Sequence, residues 1–115
     1  MVDTGADTTV LSRSDAESLG VDFAGLEDPH HVGGIGGTIR MYSVPAAVCL
    51  SDGSNERFFN LPIGIPERIK DGGGYEEMPS LLGRDIINQS VMLYDFPRRK
   101  LEFVFPLPTL EEHAF

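Results

Sequence analysis

The stretch VDTGADTTVL, residues 2–11, decides how this chain folds. An apolar residue leads into an acid, a hydroxyl and a glycine, and the apolar pair Val10 and Leu11 follows shortly after. A strand that ends in such a loop can present one carboxylate, Asp3, on a tight, hydrogen-bonded turn. Taken alone, Asp-Thr-Gly also fits an ordinary turn, because all three residue types are common in turns. The rest of the chain separates the two interpretations.

Size and composition favour one small, mainly β domain. The chain has 115 residues, enough for a single modest core. It contains 13 glycines, 8 prolines and no tryptophan. That composition is typical of short strands joined by many turns, and is less suited to a helical bundle.

The charge and the apolar pattern exclude two classes of partner. With 18 acidic residues against 9 lysines and arginines, the net charge is −9, which repels phosphate backbones and argues against nucleic acid. No apolar run reaches transmembrane length and no signal pattern opens the chain, so we expect no membrane partner and a cytoplasmic location. The single cysteine, Cys49, excludes an intrachain disulfide and is interpreted as a small strand residue, with a reactive thiol as the less favoured alternative.

Local signals predict the following elements along the chain. A short helix over 14–20 is predicted from Ser14 as its cap, Glu17 three residues later and Gly20 at its end. Two glycine pairs within 32–41 predict a hairpin with a pliable tip, preceded by a connecting stretch that contains Pro29 and the two histidines after it. Further predictions are strands over 9–11, 40–50, 58–65, 91–95 and 100–105, a turn over 51–55, a surface loop over 66–79, a short helix over 84–89 and a tail over 106–115.

Three segments, in order, resemble the retropepsins, the small retroviral-type aspartic proteases. The first is the stretch 3–11, which is similar to the catalytic loop of that family and its following strand. The second is GGIGG at 33–37, which resembles a glycine-rich flap tip, and the third is LLGRDII at 81–87, which resembles the segment before the family's helix. Each segment alone is a weak signal, but three in the family order form a specific pattern. The resemblance covers residues 1–105 as one domain.

The resemblance implies a small, closed, barrel-like acid-protease lobe that hydrolyses peptide bonds as a homodimer. Aspartic proteolysis needs two neighbouring carboxylates that share one proton, and this chain contains a single Asp-Thr-Gly, so the second carboxylate would come from a second copy. The implied catalytic residues are Asp3, Thr4 and Gly5, with Thr4 joining the two loops across the symmetry axis. No cofactor is implied; the partners are a peptide or protein substrate and the second protomer.

The resemblance also implies residues that bind substrate or support the site. Asp7 would face the substrate backbone and pair with Arg84, and Val10 and Ile87 would line side-chain pockets. The other implied substrate-binding residues are Ala6 and the flap residues Gly33, Gly34, Ile35, Gly36 and Gly37.

Two details concern the chemistry of the site. Pepsin-like enzymes commonly have serine where this chain has Ala6, and the missing hydroxyl would leave the ionised dyad less stabilised. We therefore expect an activity optimum nearer neutral pH than that of pepsin.

His30 and His31 do not predict a metal site, because adjacent residues do not share a strand or helix face and no third ligand lies nearby in sequence.

The chain departs from the retropepsin pattern at its start. Retropepsins form strands before the catalytic loop, whereas Asp3 is the third residue here. We expect those N-terminal strands to be missing, through truncation, a start assigned too far downstream, or degeneration of the copy. The alternative function is therefore a non-catalytic retropepsin-like domain that dimerises or binds an extended peptide by strand addition.

Overall fold

A computed structural model of the protein describes residues 1–27, 29–34, 37–67 and 79–106. This part of the chain is mainly β, with five strands, two short α-helices and one turn of 3₁₀ helix. In chain order the elements are α1 (Arg13–Ser18), the 3₁₀ turn (Phe23–Gly25), β1 (His30–Gly34), β2 (Gly37–Ser51), β3 (Glu56–Pro66), α2 (Arg84–Ile87), β4 (Val91–Asp95) and β5 (Lys100–Val104).

A three-stranded antiparallel sheet in the order β1-β2-β3 forms the larger part of the fold. The predicted glycine-rich hairpin is confirmed, with pairing from His30 opposite Met41 to Gly34 opposite Gly37, and its tip at 35–36 lies outside the described residues. Strands β2 and β3 pair over eleven positions up to Ser51 opposite Glu56. The turn between them is stabilised by the Asp52 side chain, which accepts hydrogen bonds from the Ser54 and Asn55 N–H groups, and by Gly53, which adopts a φ of +94°.

The start of the chain crosses the middle of the fold between two distant segments. Val10 pairs with Gly64 in parallel on one side and with Leu81 in antiparallel on the other, and Val2 pairs in parallel with Leu82. We call this arrangement, formed by residues 1–11, 64 and 80–83, the central crossing. It interlocks the two halves of the chain, because its strand-like pairs join residues more than fifty positions apart.

The core lies against the central crossing. Val10, Met41 and Leu81 form a buried cluster, and Ala6 and Ile39 pack against it. Ile65 and Ile86 are the largest side chains without solvent contact in the described residues. Val10, which follows the Asp-Thr-Gly loop in sequence, is thus buried against residues of β2 and of the segment before α2.

The last two strands form a separate two-stranded sheet. β4 and β5 pair from Val91 opposite Val104 to Asp95 opposite Lys100, as the sequence predicted. Many apolar side chains of this hairpin are exposed, including Val91, Leu93, Tyr94 and Leu101. The β4–β5 hairpin therefore contributes little to the main core.

Three local predictions are wrong. Helix α1 is capped by Ser12, two residues before the predicted cap, because the Ser12 side chain accepts the Asp15 N–H at 3.1 Å. His30 and His31 open β1 and do not lie in a connecting stretch, because both pair across the hairpin. Residues 9–11 form no regular strand, because only Val10 pairs, through isolated bridges to Gly64 and Leu81.

Three further predictions remain open. The sheets of the described residues do not close into a barrel, so the closed, barrel-like lobe stays a prediction. Most of the predicted surface loop, 68–78, and most of the predicted tail, 107–115, lie outside the described residues.

Candidate active site

Asp3 lies where the first strand-like segment of the central crossing ends. Its backbone N–H donates to the Leu82 carbonyl at 3.0 Å, and its carbonyl accepts from the Ala6 N–H at 3.2 Å. Its side-chain Oδ1 accepts the Gly5 N–H at 2.9 Å. The carboxylate is thus positioned by backbone groups of its own loop and, through Leu82, by a segment that is distant in sequence.

Gly5 suits this loop for a steric reason. A Cβ built on Gly5 would lie 3.2 Å from Asp3 Oδ1, closer than ordinary van der Waals contact. Because Asp3 Oδ1 also accepts the Gly5 N–H, a larger residue would push against the oxygen that it should bind. The glycine of the motif therefore serves the orientation of the carboxylate.

Helix α2 begins beside the loop and is joined to it twice. The Arg84 N–H donates to the Ala6 carbonyl at 2.8 Å. The Arg84 guanidinium forms the expected ion pair with Asp7, and both side chains are substantially exposed. The backbone bond fixes the helix start on the loop, whereas an exposed ion pair of this kind contributes only about 0–1 kcal/mol.

A buried polar network behind the loop was missed by the sequence analysis. Thr9 donates to Asp85 from its backbone N–H at 2.9 Å and from its hydroxyl at 2.6 Å. The same hydroxyl accepts the Gly83 N–H at 3.1 Å. The signal for this network was a hydroxyl residue just after the loop and an acid just after Arg84, but nothing in the sequence shows that residues 76 positions apart meet.

Gly83 fits tightly at the centre of the network. A Cβ at this position would lie 2.5 Å from the carbonyl carbon of Thr8 and 2.7 Å from the N atom of Thr9. Those atoms are backbone and cannot move aside as a side chain would. A glycine is required here by the close approach of two chain segments.

The structure joins five of the predicted site residues by hydrogen bonds and an ion pair. Asp3, Gly5, Ala6, Asp7 and Arg84 belong to one connected unit, as described above. Thr4 is exposed and makes no hydrogen bond within the described residues. Of the flap residues, Gly33, Gly34 and Gly37 lie at the end of the β1–β2 hairpin, whereas Ile35 and Gly36 lie outside the described residues.

Val10 and Ile87 are core residues in this chain. Their side chains are 5% and 6% exposed, so they contribute to packing beneath the loop. Ala6 also packs against the core cluster. A role of Val10 and Ile87 in side-chain pockets stays a prediction.

A second polar contact joins α1 to the central crossing. The Ser80 hydroxyl accepts the Ser12 N–H at 2.8 Å and donates to Asp15 Oδ2. The hydrogen bonds from Ser80 and Ser12 lower the pKa of the Asp15 carboxyl below its ordinary value of 3.8. The ionised form of Asp15 is thus part of the contact between the helix and the crossing.

Within the described residues, no group of three or more His, Cys, Asp or Glu side chains is arranged to bind a metal ion. None of the helices in that part of the chain is long and apolar enough to span a membrane.

Comparison with known proteins identifies the family. A family model described as aspartyl protease matches residues 1–86, about three quarters of the chain, and includes the Asp3 loop, the glycine-rich hairpin and Arg84. No curated protein and no solved structure matches the chain significantly. The chain belongs to the retropepsin-like aspartyl protease family.

Proposed function

We propose that the protein is an aspartic endopeptidase whose active site forms across a homodimer. The observation that carries the proposal is the Asp3 loop, in which Gly5 N–H and Leu82 carbonyl fix one carboxylate at the edge of the central crossing. The chain contains one Asp-Thr-Gly, so the second carboxylate is that of Asp3 in a second copy. The proposal includes the closed, barrel-like lobe that the resemblance implies.

The proposed reaction uses two carboxyl groups that share one proton. Two adjacent carboxylates repel each other, so one is ionised and the other is protonated. The ionised carboxylate accepts a proton from a water molecule while the water oxygen bonds to the peptide carbonyl carbon. The protonated carboxyl donates its proton to the carbonyl oxygen. The C–N bond then breaks as the proton taken from water passes to the amine nitrogen and the other carboxylate takes a hydroxyl proton from the tetrahedral intermediate, which leaves a carboxylic acid and an amine and restores the pair.

Other residues of the site are proposed to orient the substrate and join the protomers. Thr4 is exposed beside Asp3 and is available to bond its counterpart across the two-fold axis. Asp7 would accept a substrate backbone N–H while Arg84 neutralises part of its charge. The β1–β2 hairpin, with its glycine pairs at 33–34 and 36–37, would close over the bound peptide.

The test is peptide cleavage by the wild type and by Asp3→Asn, with and without a pepstatin-like inhibitor. We expect cleavage in the wild type only, abolished by the inhibitor, and a dimer in sedimentation for both proteins. Asp22→Asn is the matched control, because Asp22 only caps the 3₁₀ turn and asparagine caps as well. Cleavage that persists in Asp3→Asn would refute the mechanism.

The Ala6→Ser variant tests the expected pH optimum. A serine hydroxyl would donate to the ionised dyad, so the pH–rate profile should shift toward acid relative to the wild type. Because Ala6 packs against the core cluster, thermal unfolding of the variant is measured in parallel. A folded Ala6→Ser enzyme with an unshifted profile contradicts the expectation.

The alternative is a non-catalytic domain that dimerises or binds peptides. The outer edge of β5, which has no strand partner within the described residues, favours it, because an exposed edge can pair with an extended peptide. Under this alternative, Asp3→Asn leaves peptide binding and dimerisation unchanged, and the wild type cleaves nothing.

A further inference from the structure

A groove separate from the Asp3 loop lies between the β2–β3 turn and β5. Its volume is about 810 Å³, and it is lined by residues 50–52, 55–57, 82 and 101–105. Cavities of about 300–1,000 Å³ are typical of binding sites. We call it the edge groove. Leu82 is its one link to the candidate active site, since the Leu82 carbonyl accepts the Asp3 N–H.

The edge groove runs along the free edge of β5. Five consecutive residues, 101–105, line it, although successive side chains of a strand point to opposite faces. A groove lined by both sets of side chains must follow the strand edge. β5 pairs only with β4 among the described residues, so its N–H and C=O groups on the groove side have no strand partner.

Two contacts join β3 to the residues that follow β5, and they involve the lining residues Arg57 and Phe105. The Phe59 and Phe105 rings pack with their centroids 5.2 Å apart. The Arg57 guanidinium donates to the Pro106 carbonyl at 3.4 Å. These contacts hold the first residues of β3 beside the residues that follow β5.

The lining combines apolar side chains with charged ones, and its acids outnumber its single base, Arg57. Its apolar residues are Leu50, Leu82, Leu101, Phe103 and Phe105. Glu56 and Glu102 also line it and form no ion pair with any described residue. Asp52, by contrast, is used within its own turn, where it accepts from Ser54 and Asn55.

We propose that the edge groove binds an extended peptide segment of another protein, one that alternates apolar and basic side chains. The segment would pair its backbone with the free edge of β5 and add a strand to the β4–β5 sheet. Its apolar side chains would contact Leu101 and Phe103, and its lysines or arginines would reach Glu56 and Glu102. This binding site is independent of the proposed cleavage at Asp3.

A second copy of this chain is a poorer occupant on charge grounds. The chain carries a net charge of −9, and the groove is lined by the acids Asp52, Glu56 and Glu102 against one base, Arg57, whose guanidinium donates to the Pro106 carbonyl. Its basic run at 98–100 is already engaged in part, because Arg98 pairs with Asp95 and Arg99 stacks on the Phe96 ring. A foreign basic segment offers the complementary charge that the described part of a second copy does not.

The test measures binding of two fluorescein-labelled peptides to Asp3→Asn protein by fluorescence anisotropy. One peptide alternates valine with lysine, and the other alternates valine with glutamate. We expect binding of the lysine peptide only, weakened about twofold to fivefold by Glu102→Gln and again by Glu56→Gln. Glu27→Gln, which removes an exposed acid outside the groove, is the matched control and should leave binding unchanged.

Hydrogen exchange locates the bound peptide. The lysine peptide should slow amide exchange in residues 100–105, because strand pairing engages their N–H groups. The proposal would be overturned if both peptides bound equally, or if Glu102→Gln and Glu56→Gln left binding unchanged. Slower amide exchange only outside residues 100–105 would also overturn it. So would a dimer in sedimentation that Leu101→Lys dissociates, since a second copy would then occupy the groove. Because the protein used lacks the Asp3 carboxylate, these outcomes do not depend on whether the wild type cleaves peptides.

Discussion

The central crossing and the β4–β5 hairpin are built in opposite ways. In the crossing, Leu82 bonds to Met1 and Asp3, Leu81 bonds to Val10, and Gly64 bonds to the residues on either side of Val10. In the hairpin, five cross-strand pairs join residues close in sequence, and both outer edges are free within the described residues. The crossing depends on contacts between distant segments, whereas the hairpin depends on itself.

The difference matches two different tasks. The proposed catalytic role of Asp3 needs a carboxylate held in a fixed orientation, and the backbone bonds around Asp3 would supply it. A two-stranded hairpin is only marginally stable alone, and its exposed edges can accept further strands. We therefore expect substitutions in the crossing to unfold the protein or misplace Asp3, and substitutions in the hairpin to affect partners more than stability.

The largest effect is expected for Gly83→Ala. The added Cβ would overlap the Thr8 and Thr9 backbone, so the two segments must separate and the free energy of unfolding should fall by about 3 kcal/mol. Urea denaturation followed by circular dichroism measures it. Gly33→Ala is the control, because a Cβ there meets nothing within 4 Å, and its midpoint should stay near that of the wild type. A similar midpoint for both variants would show that the crossing tolerates separation.

The next largest effect is expected for Asp85→Ala. The variant leaves the Thr9 N–H and hydroxyl without their acceptor in a buried site, which should cost about 2 kcal/mol. Asp85→Asn keeps one acceptor oxygen and should lower the free energy of unfolding by less. Comparing the two variants separates loss of the hydrogen bonds from loss of the charge. If Asp85 positions the loop, both kcat and stability should be higher in Asp85→Asn than in Asp85→Ala, while KM changes little. Equal stability of the two variants would contradict this role.

The sequence predicted the parts of the fold that are set by local signals. Glycine pairs and turn residues predicted the β1–β2 hairpin, the 52–55 turn and the β4–β5 hairpin, because turn chemistry acts over a few residues. It also predicted the Asp7–Arg84 contact, through the resemblance.

Long-range features could not be read from local patterns. Thr9 meets Asp85 only because Val10 lies between Gly64 and Leu81, and no periodicity encodes that crossing. The cap of α1 was misplaced for the same reason: Ser12 is buried and its N–H bonds Ser80, so tertiary contacts selected it over Ser14.

A smaller effect is expected from acid, through Asp15. Its pKa is lowered in the folded protein by Ser80 and Ser12, so its contribution is complete above the ordinary value of 3.8 and is lost as pH falls through that value toward the lower folded pKa. Stability should therefore fall as the pH drops below about 3.8, and Asp15→Asn should show a shallower decline because asparagine does not titrate. Urea midpoints across this range measure the slopes. Parallel slopes would show that the bond from Ser80 does not couple α1 to the crossing.

The smallest effect is expected in the hairpin, for Tyr94→Ser. Tyr94 is 70% exposed although it is large and aromatic, so its removal should change the free energy of unfolding by no more than about 0.5 kcal/mol. The cross-strand contact with Leu101 is the one interaction that the change weakens. The same urea series measures it, at several protein concentrations. A loss comparable to that of Asp85→Ala, or one that depends on concentration, would mean that the exposed face is buried in an assembly. The contrast between a crossing held by distant segments and a hairpin without a partner would then hold for the isolated chain alone.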